Sequence, residues 1–206
     1  MKIAVFGGSF NPIHMGHLIA ANYAIINGGM DKVLFVPSGN HPFVEKRNLT
    51  SSDIRLEMVD SAIKNDDYFQ VSSIEIDSQE ISYTYDTILK LNEIFSEDEL
   101  FFIIGYDILF DLPKWKKIKE LSKICSFIVM NRDTDRNKEL KSIVDKLIEK
   151  YNMKLNFVDS PIVDVSSSDI RKLISENKRV NYLVPDTVLE IIKREGLYGY
   201  GLWKVL

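Results

Sequence analysis

The sequence lacks the features of secreted and membrane-spanning proteins. Its 206 residues contain one cysteine, Cys125, which excludes an internal disulfide bond and favours a reducing compartment. No run approaches the about 20 apolar residues that cross a bilayer, and the apolar run before Gly7 is too short for a secretion signal. We therefore expect a cytoplasmic protein that does not enter the membrane.

The chain also lacks the excess of positive charge that is typical of nucleic-acid-binding proteins. Lysine and arginine total 26 against 30 aspartates and glutamates, for a net charge of -4. One basic stretch, residues 113–120, includes Trp115, which recurs at helical spacing with Ile118 and Leu121. Because such spacing predicts an apolar stripe with solvated lysines around it, no nucleic-acid partner is predicted.

Several standard functional motifs are missing. The patterns GxxxxGK[ST] and GxGxxG are absent, which disfavours a phosphate-loop NTPase and a dinucleotide-dependent dehydrogenase. The absence of HExxH and of paired CxxC means that no zinc site is predicted. The string GGSFN differs from the GxSxG nucleophile elbow because Asn11 stands at the last glycine. A hydrolase with Ser9 as nucleophile is therefore the weakest alternative.

Short apolar runs alternate with segments of helical spacing. The runs cover residues 3–6, 33–36, 69–76, 100–104, 127–130 and 155–158. The helical segments cover residues 17–26, 52–63, 85–95, 137–151, 168–176 and 185–195. This alternation predicts an α/β, Rossmann-like fold, with a mostly parallel sheet and helices on both of its faces.

The length predicts one domain, since domains usually hold about 100 to 200 residues. We expect residues 1–206 to form a single domain, with a core over about residues 1–165. The remainder, about residues 166–206, is expected to be a small C-terminal helical cap. The sequence leaves open whether the chain forms a homo-oligomer.

The three histidines of the chain, His14, His17 and His41, all follow the first or second predicted strand. The glycine pair at residues 7–8 allows the backbone to approach a ligand closely, and the start of the next helix favours an anion. These residues predict a phosphate-binding site. The aperiodic residues 37–51 leave the second strand at the edge where α/β sheets bind ligands, so they are a candidate binding loop.

The string GGSFNPIHMGHL, residues 7–18, resembles the (T/H)xGH motif of the nucleotidyltransferase superfamily. Four later strings resemble blocks of the nicotinate mononucleotide adenylyltransferases in that superfamily, in the same order: ISYTYDT (81–87), FFIIGYDILFDLPKW (101–115), VDVSSSDIR (163–171) and NYLVPDTV (181–188). The resemblance covers the whole chain. It implies an enzyme of NAD biosynthesis that transfers the adenylyl group of ATP to nicotinate mononucleotide, releasing pyrophosphate.

The resemblance also implies a role for individual residues. The catalytic residues would be His14, His17 and Arg171. The ATP-binding residues would be Gly7, Gly8, Ser9, Phe10, His14, His17, Gly105, Asp107, Ser167, Ser168 and Arg171. The substrate-binding residues would be Asn11, Lys46, Tyr83, Thr84, Tyr106 and Trp115. Mg²⁺ is expected on the phosphates of ATP, without a metal site built from side chains.

Two departures from the family pattern leave alternatives open. Tyr106 stands where the family often has alanine, and HPFVEK at residues 41–46 replaces the usual PPHK, with Lys46 as the better match for a phosphate contact. The acceptor of an adenylyl or cytidylyl group could therefore be nicotinamide mononucleotide, phosphopantetheine or a polyol phosphate. A non-catalytic nucleotide-binding module is the alternative from another class, and the intact His14, His17 and SSSDIR string argue against it.

Overall fold

The structure is a computed structural model that describes residues 1–39, 49–78, 80–132 and 138–201. Its centre is a six-stranded sheet in the order β3-β2-β1-β4-β5-β6. The strands are β1 (Lys2–Gly8), β2 (Lys32–Pro37), β3 (Phe69–Val71), β4 (Glu99–Gly105), β5 (Ser126–Arg132) and β6 (Leu155–Ser160). All five strand pairings are parallel, which confirms the predicted α/β class.

Seven α-helices connect and cover these strands within the described ranges. They are α1 (Met15–Ile26), α2 (Ser52–Ile63), α3 (Thr84–Ile94), α4 (Ile118–Ile124), α5 (Lys138–Tyr151), α6 (Ser167–Ser175) and α7 (Asp186–Arg194). In that part of the chain, no helix is long and apolar enough to cross a membrane.

The four inner strands of the sheet are largely buried on both faces, which explains why they are continuous apolar runs. Successive side chains of a strand point to opposite faces, so Ala4 packs with α1, α2, α6 and α7. Its neighbours Ile3 and Val5 pack on the other face with α3, α4 and α5. The C-terminal helices α6 and α7 thus complete one layer of the core, with Ile170, Ile174 and Val188 fully enclosed or nearly so.

Two elements differ from the sequence prediction. The predicted strand over residues 69–76 ends at Val71, and a turn follows in which the Asp77 N–H donates to the Ser73 carbonyl (2.9 Å). The helix α4 was not predicted as a separate element, and Trp115 lies before it in an extended conformation. The proposed apolar stripe is therefore only partly helical, because Ile118 and Leu121 are buried along α4 whereas Trp115 precedes this helix.

The strand order places a crevice at the carboxyl edge of the sheet. The chain leaves β1 toward β2 on one side, whereas β4 pairs with β1 on the other side. The loops that follow β1 and β4 run in opposite directions and leave a crevice between them. Parallel α/β sheets bind their ligands in such a crevice.

Candidate functional site

A cavity of about 330 Å³ opens at this switch point between β1 and β4. Its polar wall combines the start of α1, the end of β4 and the start of α6: His14, Gly16, His17, Gly105, Ser166 and Ser167. A larger cavity of about 630 Å³ lies at the opposite edge of the sheet, beside Ser126 and Leu100, where β5 and β4 begin. The smaller cavity is the candidate site because two helix N-termini, which attract anions, meet there.

His14 and His17 form a stacked pair at the first turn of α1. Their ring centroids are 3.6 Å apart at an interplanar angle of 26°. His14 is the N-cap residue of α1, and its backbone N–H donates to Nδ1 of His17 (3.2 Å). The two histidines therefore lie together at the start of α1.

Both imidazoles favour the neutral form. Burial lowers the pKa of His14, which is 5% exposed, to about 4. Burial also lowers the pKa of His17 well below its usual value, and the nearby His14 lowers it further. Because Nδ1 of His17 accepts a hydrogen bond, the proton of the neutral ring is on Nε2, which makes Nε2 a donor.

The ring of His17 packs against two aromatic side chains, Phe6 on β1 and Phe10 just after it. Phe10 contacts it edge-on at 5.0 Å between centroids, and Phe6 does so at 5.8 Å. Phe10 is 1% exposed and has φ of 44°, a left-handed conformation that a side chain rarely adopts. A Cβ at Gly8 would lie 3.1 Å from the Phe10 ring, a tight contact that would require the buried ring to shift. A contact of Phe10 with a ligand would have to come from its backbone.

The helix α6 brings the SSSDIR string to the loop between β1 and α1. Ser166 is its N-cap and accepts from the Asp169 N–H (3.1 Å), while the Ser167 hydroxyl donates to the Pro12 carbonyl (2.8 Å). Arg171 donates from Nη1 to the Asn11 carbonyl (2.8 Å) and from Nη2 to the Ser168 hydroxyl (3.2 Å). Arg171 is the fifth residue of α6 and thus lies in its second turn.

Asn11 was predicted to bind substrate, and it is 3% exposed with both of its oxygens engaged. Its Oδ1 accepts from the Tyr198 hydroxyl (2.8 Å) and from the Thr50 N–H (3.3 Å). Tyr198 was not singled out from the sequence. It lines a third cavity, of about 500 Å³, together with Thr50 and Arg171, so the C-terminal region reaches the segment that Arg171 contacts.

Arg55 is a second residue that the sequence analysis missed. Its side chain is 1% exposed and donates to three backbone carbonyls around the candidate site. Burial lowers the pKa of this guanidinium, yet arginine remains charged at neutral pH because its usual value is far higher. Arg55 occupies a position of α2 where an apolar side chain would be expected. Its carbonyl partners are therefore revealed only by the three-dimensional structure.

Glu75 is a third such residue, beside the start of α3. Its carboxylate accepts from the Thr87 hydroxyl (2.7 Å) and from the Gly39 N–H (3.4 Å). Burial raises the pKa of this carboxyl group. It thereby joins the end of β2 to the first turn of α3.

The predicted acceptor residues surround the start of α3. Tyr83 is the N-cap of this helix and Thr84 is its first residue. The Lys116 ammonium lies 3.9 Å from the Tyr83 ring centroid and pairs with Asp86 at 3.1 Å. Trp115 is half-buried and packs edge-on against Phe102 at 5.9 Å, so one part of the indole belongs to the core.

Tyr106 and Asp107 lie in a 3-10 turn directly after β4, and both are exposed. Gly105, just before them, lines the cavity. The other two residues of interest, His41 and Lys46, lie outside the described residues. Within the described ranges, no three His, Cys, Asp or Glu side chains are grouped so that they could hold a metal ion.

The strand order and the two helix starts around a histidine pair are the arrangement of a nucleotidyltransferase. The chain belongs to the cytidylyltransferase-like family, whose sequence profile matches residues 5–173.

Full-length relatives narrow this assignment. A protein of Clostridium kluyveri named "probable nicotinate-nucleotide adenylyltransferase" is 39% identical over 201 residues, which cover 96% of this chain and 99% of that protein. A protein of Caldicellulosiruptor bescii with the same name is 41% identical over 198 residues, covering 96% and 99%.

The fold is also found in a solved structure, Plasmodium falciparum nicotinic acid mononucleotide adenylyltransferase complexed with NaAD. It superposes with a TM-score of 0.77 over 98% of both chains, at 21% sequence identity. At this identity the likeness establishes the fold.

Proposed function

We propose that this protein transfers the adenylyl group of ATP to nicotinate mononucleotide, giving nicotinate adenine dinucleotide and pyrophosphate. The full-length bacterial relatives carry the name of this activity. The observation in the structure that carries the proposal is the neutral His14–His17 pair, which shares one cavity with the starts of α1 and α6. This arrangement suits a polyphosphate better than a neutral ligand.

The reaction needs groups that stabilise negative charge. A phosphate oxygen of the acceptor attacks the α-phosphorus of ATP, the new P–O bond forms, and the bond to the β-phosphate breaks. The Nε2–H of His17 would donate to a phosphoryl oxygen as its charge grows, with His14 beside it. Arg171 would supply a planar fork for a second phosphate, since its guanidinium is held beside the same loop by Asn11 and Ser168.

The remaining ATP contacts are assigned by position. Gly7 and Gly8 end β1, and Ser9 and Phe10 form the turn that follows, so their backbone would face the phosphates. Gly105 ends β4 at the cavity. The exposed Asp107 carboxylate would bind the ribose of ATP or nearby groups, and the Ser167 and Ser168 hydroxyls would lie beside the phosphates.

Magnesium fits this site as an ion carried by ATP. No acidic cluster exists among the described residues, and Mg²⁺ is commonly bound through nucleotide phosphates with few protein ligands. When bound, the ion would neutralise charge on the phosphates. The protein's own part is to position those phosphates through His14, His17 and Arg171.

The acceptor would bind at the start of α3. A carboxylate is favoured at a helix N-terminus, where Tyr83 and Thr84 present backbone N–H groups and hydroxyls. Trp115 would stack on the pyridine ring. Tyr106, which precedes Trp115 in the segment after β4, is 37% exposed, and Lys46 would contact the acceptor phosphate.

An acceptor screen tests the proposal. The purified protein is incubated with ATP, Mg²⁺ and, separately, nicotinate mononucleotide, nicotinamide mononucleotide, phosphopantetheine or a polyol phosphate, and dinucleotide and pyrophosphate are quantified. We expect equal amounts of both products, most rapidly with nicotinate mononucleotide. A His17→Ala preparation controls for contaminating enzymes. Release of pyrophosphate without an acceptor would indicate a hydrolase, and no turnover with any acceptor would indicate a binding module.

A further inference from the structure

Arg55 is a buried guanidinium whose hydrogen bonds go to backbone carbonyls. Nε donates to Thr50 (3.1 Å), Nη1 to Ser9 (2.8 Å) and Nη2 to Ser38 (2.6 Å). Among the described residues, no carboxylate forms an ion pair with it. Burying a charge is costly unless hydrogen bonds compensate, so three carbonyls converging on one guanidinium indicate a specific structural task.

The three carbonyls belong to three separate parts of the chain. Ser9 follows β1, Ser38 follows β2, and Thr50 precedes α2. The planar fork of arginine can hold all three at once, whereas the single ammonium of lysine cannot reproduce its geometry. Arg55 therefore fixes the residues after β1 relative to the end of β2 and the start of α2.

Residues 9–11 are held at a second point by Tyr198. Its hydroxyl donates to Oδ1 of Asn11 (2.8 Å) and accepts from the Thr50 hydroxyl (3.3 Å). The Thr50 N–H also donates to Oδ1 of Asn11 (3.3 Å), and the Thr50 carbonyl accepts from Arg55. The contacts thus form a closed ring through Arg55, Ser9, Asn11 and Thr50, with Tyr198 bound to it.

The same segment also contacts Arg171. Nη1 of Arg171 donates to the Asn11 carbonyl at 2.8 Å, so residues 9–11 accept hydrogen bonds from both guanidinium groups. A shift of this carbonyl would move the fork of Arg171. Misplacement of a catalytic group by about 1 Å can cost on the order of 10²-fold in rate.

We propose that Arg55 and Tyr198 are positioning residues for adenylyl transfer: by holding residues 9–11, they set the position of the Arg171 guanidinium against the phosphates. This inference rests on the proposed function, in which Arg171 contacts ATP. Neither residue touches the reacting atoms. Their effect should therefore be expressed through Arg171 and be absent when Arg171 no longer supplies its fork.

A double-mutant cycle tests this coupling. The proteins compared are wild type, Arg55→Lys, Arg171→Lys and the double variant, with kcat and KM measured for ATP and nicotinate mononucleotide at a temperature where circular dichroism shows each to be folded. We expect Arg55→Lys to lower kcat about tenfold or more, with a smaller change in KM for the mononucleotide. The double variant should be within about threefold of Arg171→Lys.

Arg194→Gln is the matched control. The exposed Arg194 pairs with Glu57, which lies on α2 as Arg55 does. The variant therefore removes a guanidinium contact to the same helix, but at a place away from the site. Its kcat should stay within about twofold of wild type, as expected of a surface pair. Tyr198→Phe, alone and combined with Arg171→Lys, supplies a second cycle if Arg55→Lys does not fold, and the same non-additive result is expected.

If the fold-losses in kcat of the single variants multiply in the double variants of both cycles, the inference is overturned. Such a result would show that Arg55 and Tyr198 act independently of Arg171. A folded Arg55→Lys protein with wild-type kcat would overturn it as well. The proposed function fails in a different way, namely if the wild-type protein itself forms no dinucleotide.

Discussion

The backbone N–H of His14 donates to Nδ1 of His17 across 3.2 Å, and this contact determines which nitrogen of His17 carries the proton. A neutral imidazole that accepts at Nδ1 must donate at Nε2. The first turn of α1 therefore presents a fixed donor at the cavity that also includes the start of α6. The catalytic predictions begin from this donor.

Replacing His17 should mainly slow turnover. We expect His17→Ala to lower kcat by at least about 10², the scale of one lost transition-state donor. ATP affinity should weaken less, because Arg171 and the two helix starts remain. Steady-state kinetics and ATP binding by calorimetry check this, and near wild-type turnover would contradict the mechanism.

Arg171 should not tolerate lysine. Arg171→Lys keeps the charge but loses the planar fork that donates to Asn11 and Ser168, so kcat/KM for ATP should fall substantially, by about tenfold or more. The neighbouring Lys172 is exposed, and Lys172→Gln is the matched control, with unchanged kinetics expected. If the two variants behave alike, Arg171 is a surface residue of α6.

Trp115 should contribute to acceptor binding. Trp115→Ala is expected to raise KM for the mononucleotide about tenfold, since aromatic pairing contributes about 0.5 to 1.5 kcal/mol beyond area burial. KM for ATP should change little. Trp115→Phe keeps a ring against Phe102 and should lie between wild type and the alanine variant. A variant with lower thermal stability but unchanged KM would assign Trp115 to the core alone.

Acid should destabilise the protein through His14. Its pKa is about 4 when folded against an ordinary 6.5, so the unfolded chain binds more protons between these values. The contribution of the His14 ring to the free energy of unfolding is complete above pH 6.5 and is lost as the pH falls toward 4. For a pKa difference of this size the loss from pH 7 to pH 5 is about 2 kcal/mol.

The measurement is urea unfolding of wild type and His14→Gln at pH 7 and pH 5. The raised pKa of Glu75 acts in the opposite direction, because protonation favours its folded form, but it is common to both proteins. The difference between their pH dependences therefore reports His14 together with its smaller effect on the pKa of His17. Identical dependences would show that the His14 ring is not held neutral by the fold.

The local parts of the site could be predicted from the sequence, and its long-range parts could not. His14 and His17 are three residues apart, so one helical turn brings them together whatever else the chain does. Tyr198 and Asn11 are separated by 187 residues, and no periodicity marks either residue as a partner of the other. Arg55 is hidden for the same reason, because its partners are backbone carbonyls, which every residue has.

The fold shows the same division. Continuous apolar runs predicted the inner strands β1, β2, β4 and β5, which are largely buried, and the run over residues 155–158 predicted the edge strand β6. The run over residues 69–76 includes the polar residues Gln70, Ser72, Ser73 and Glu75, and β3, which like β6 is an edge strand, pairs with its one neighbour only over Phe69–Val71. Trp115 matched the helical period of Ile118 and Leu121 although the chain is extended there.

The most direct test of the central claim is the ratio of kcat/KM for nicotinate and nicotinamide mononucleotide. The two acceptors differ by a carboxylate against an amide, and the start of α3 at Tyr83 and Thr84 offers donors. An amide would leave a buried donor unpaired at about 1 to 3 kcal/mol, so we expect a preference of roughly tenfold to a hundredfold for nicotinate. Tyr106→Ala, measured in parallel, shows whether this exposed phenol alters the choice. Equal values, or a preference for the amide, would contradict the nicotinate assignment.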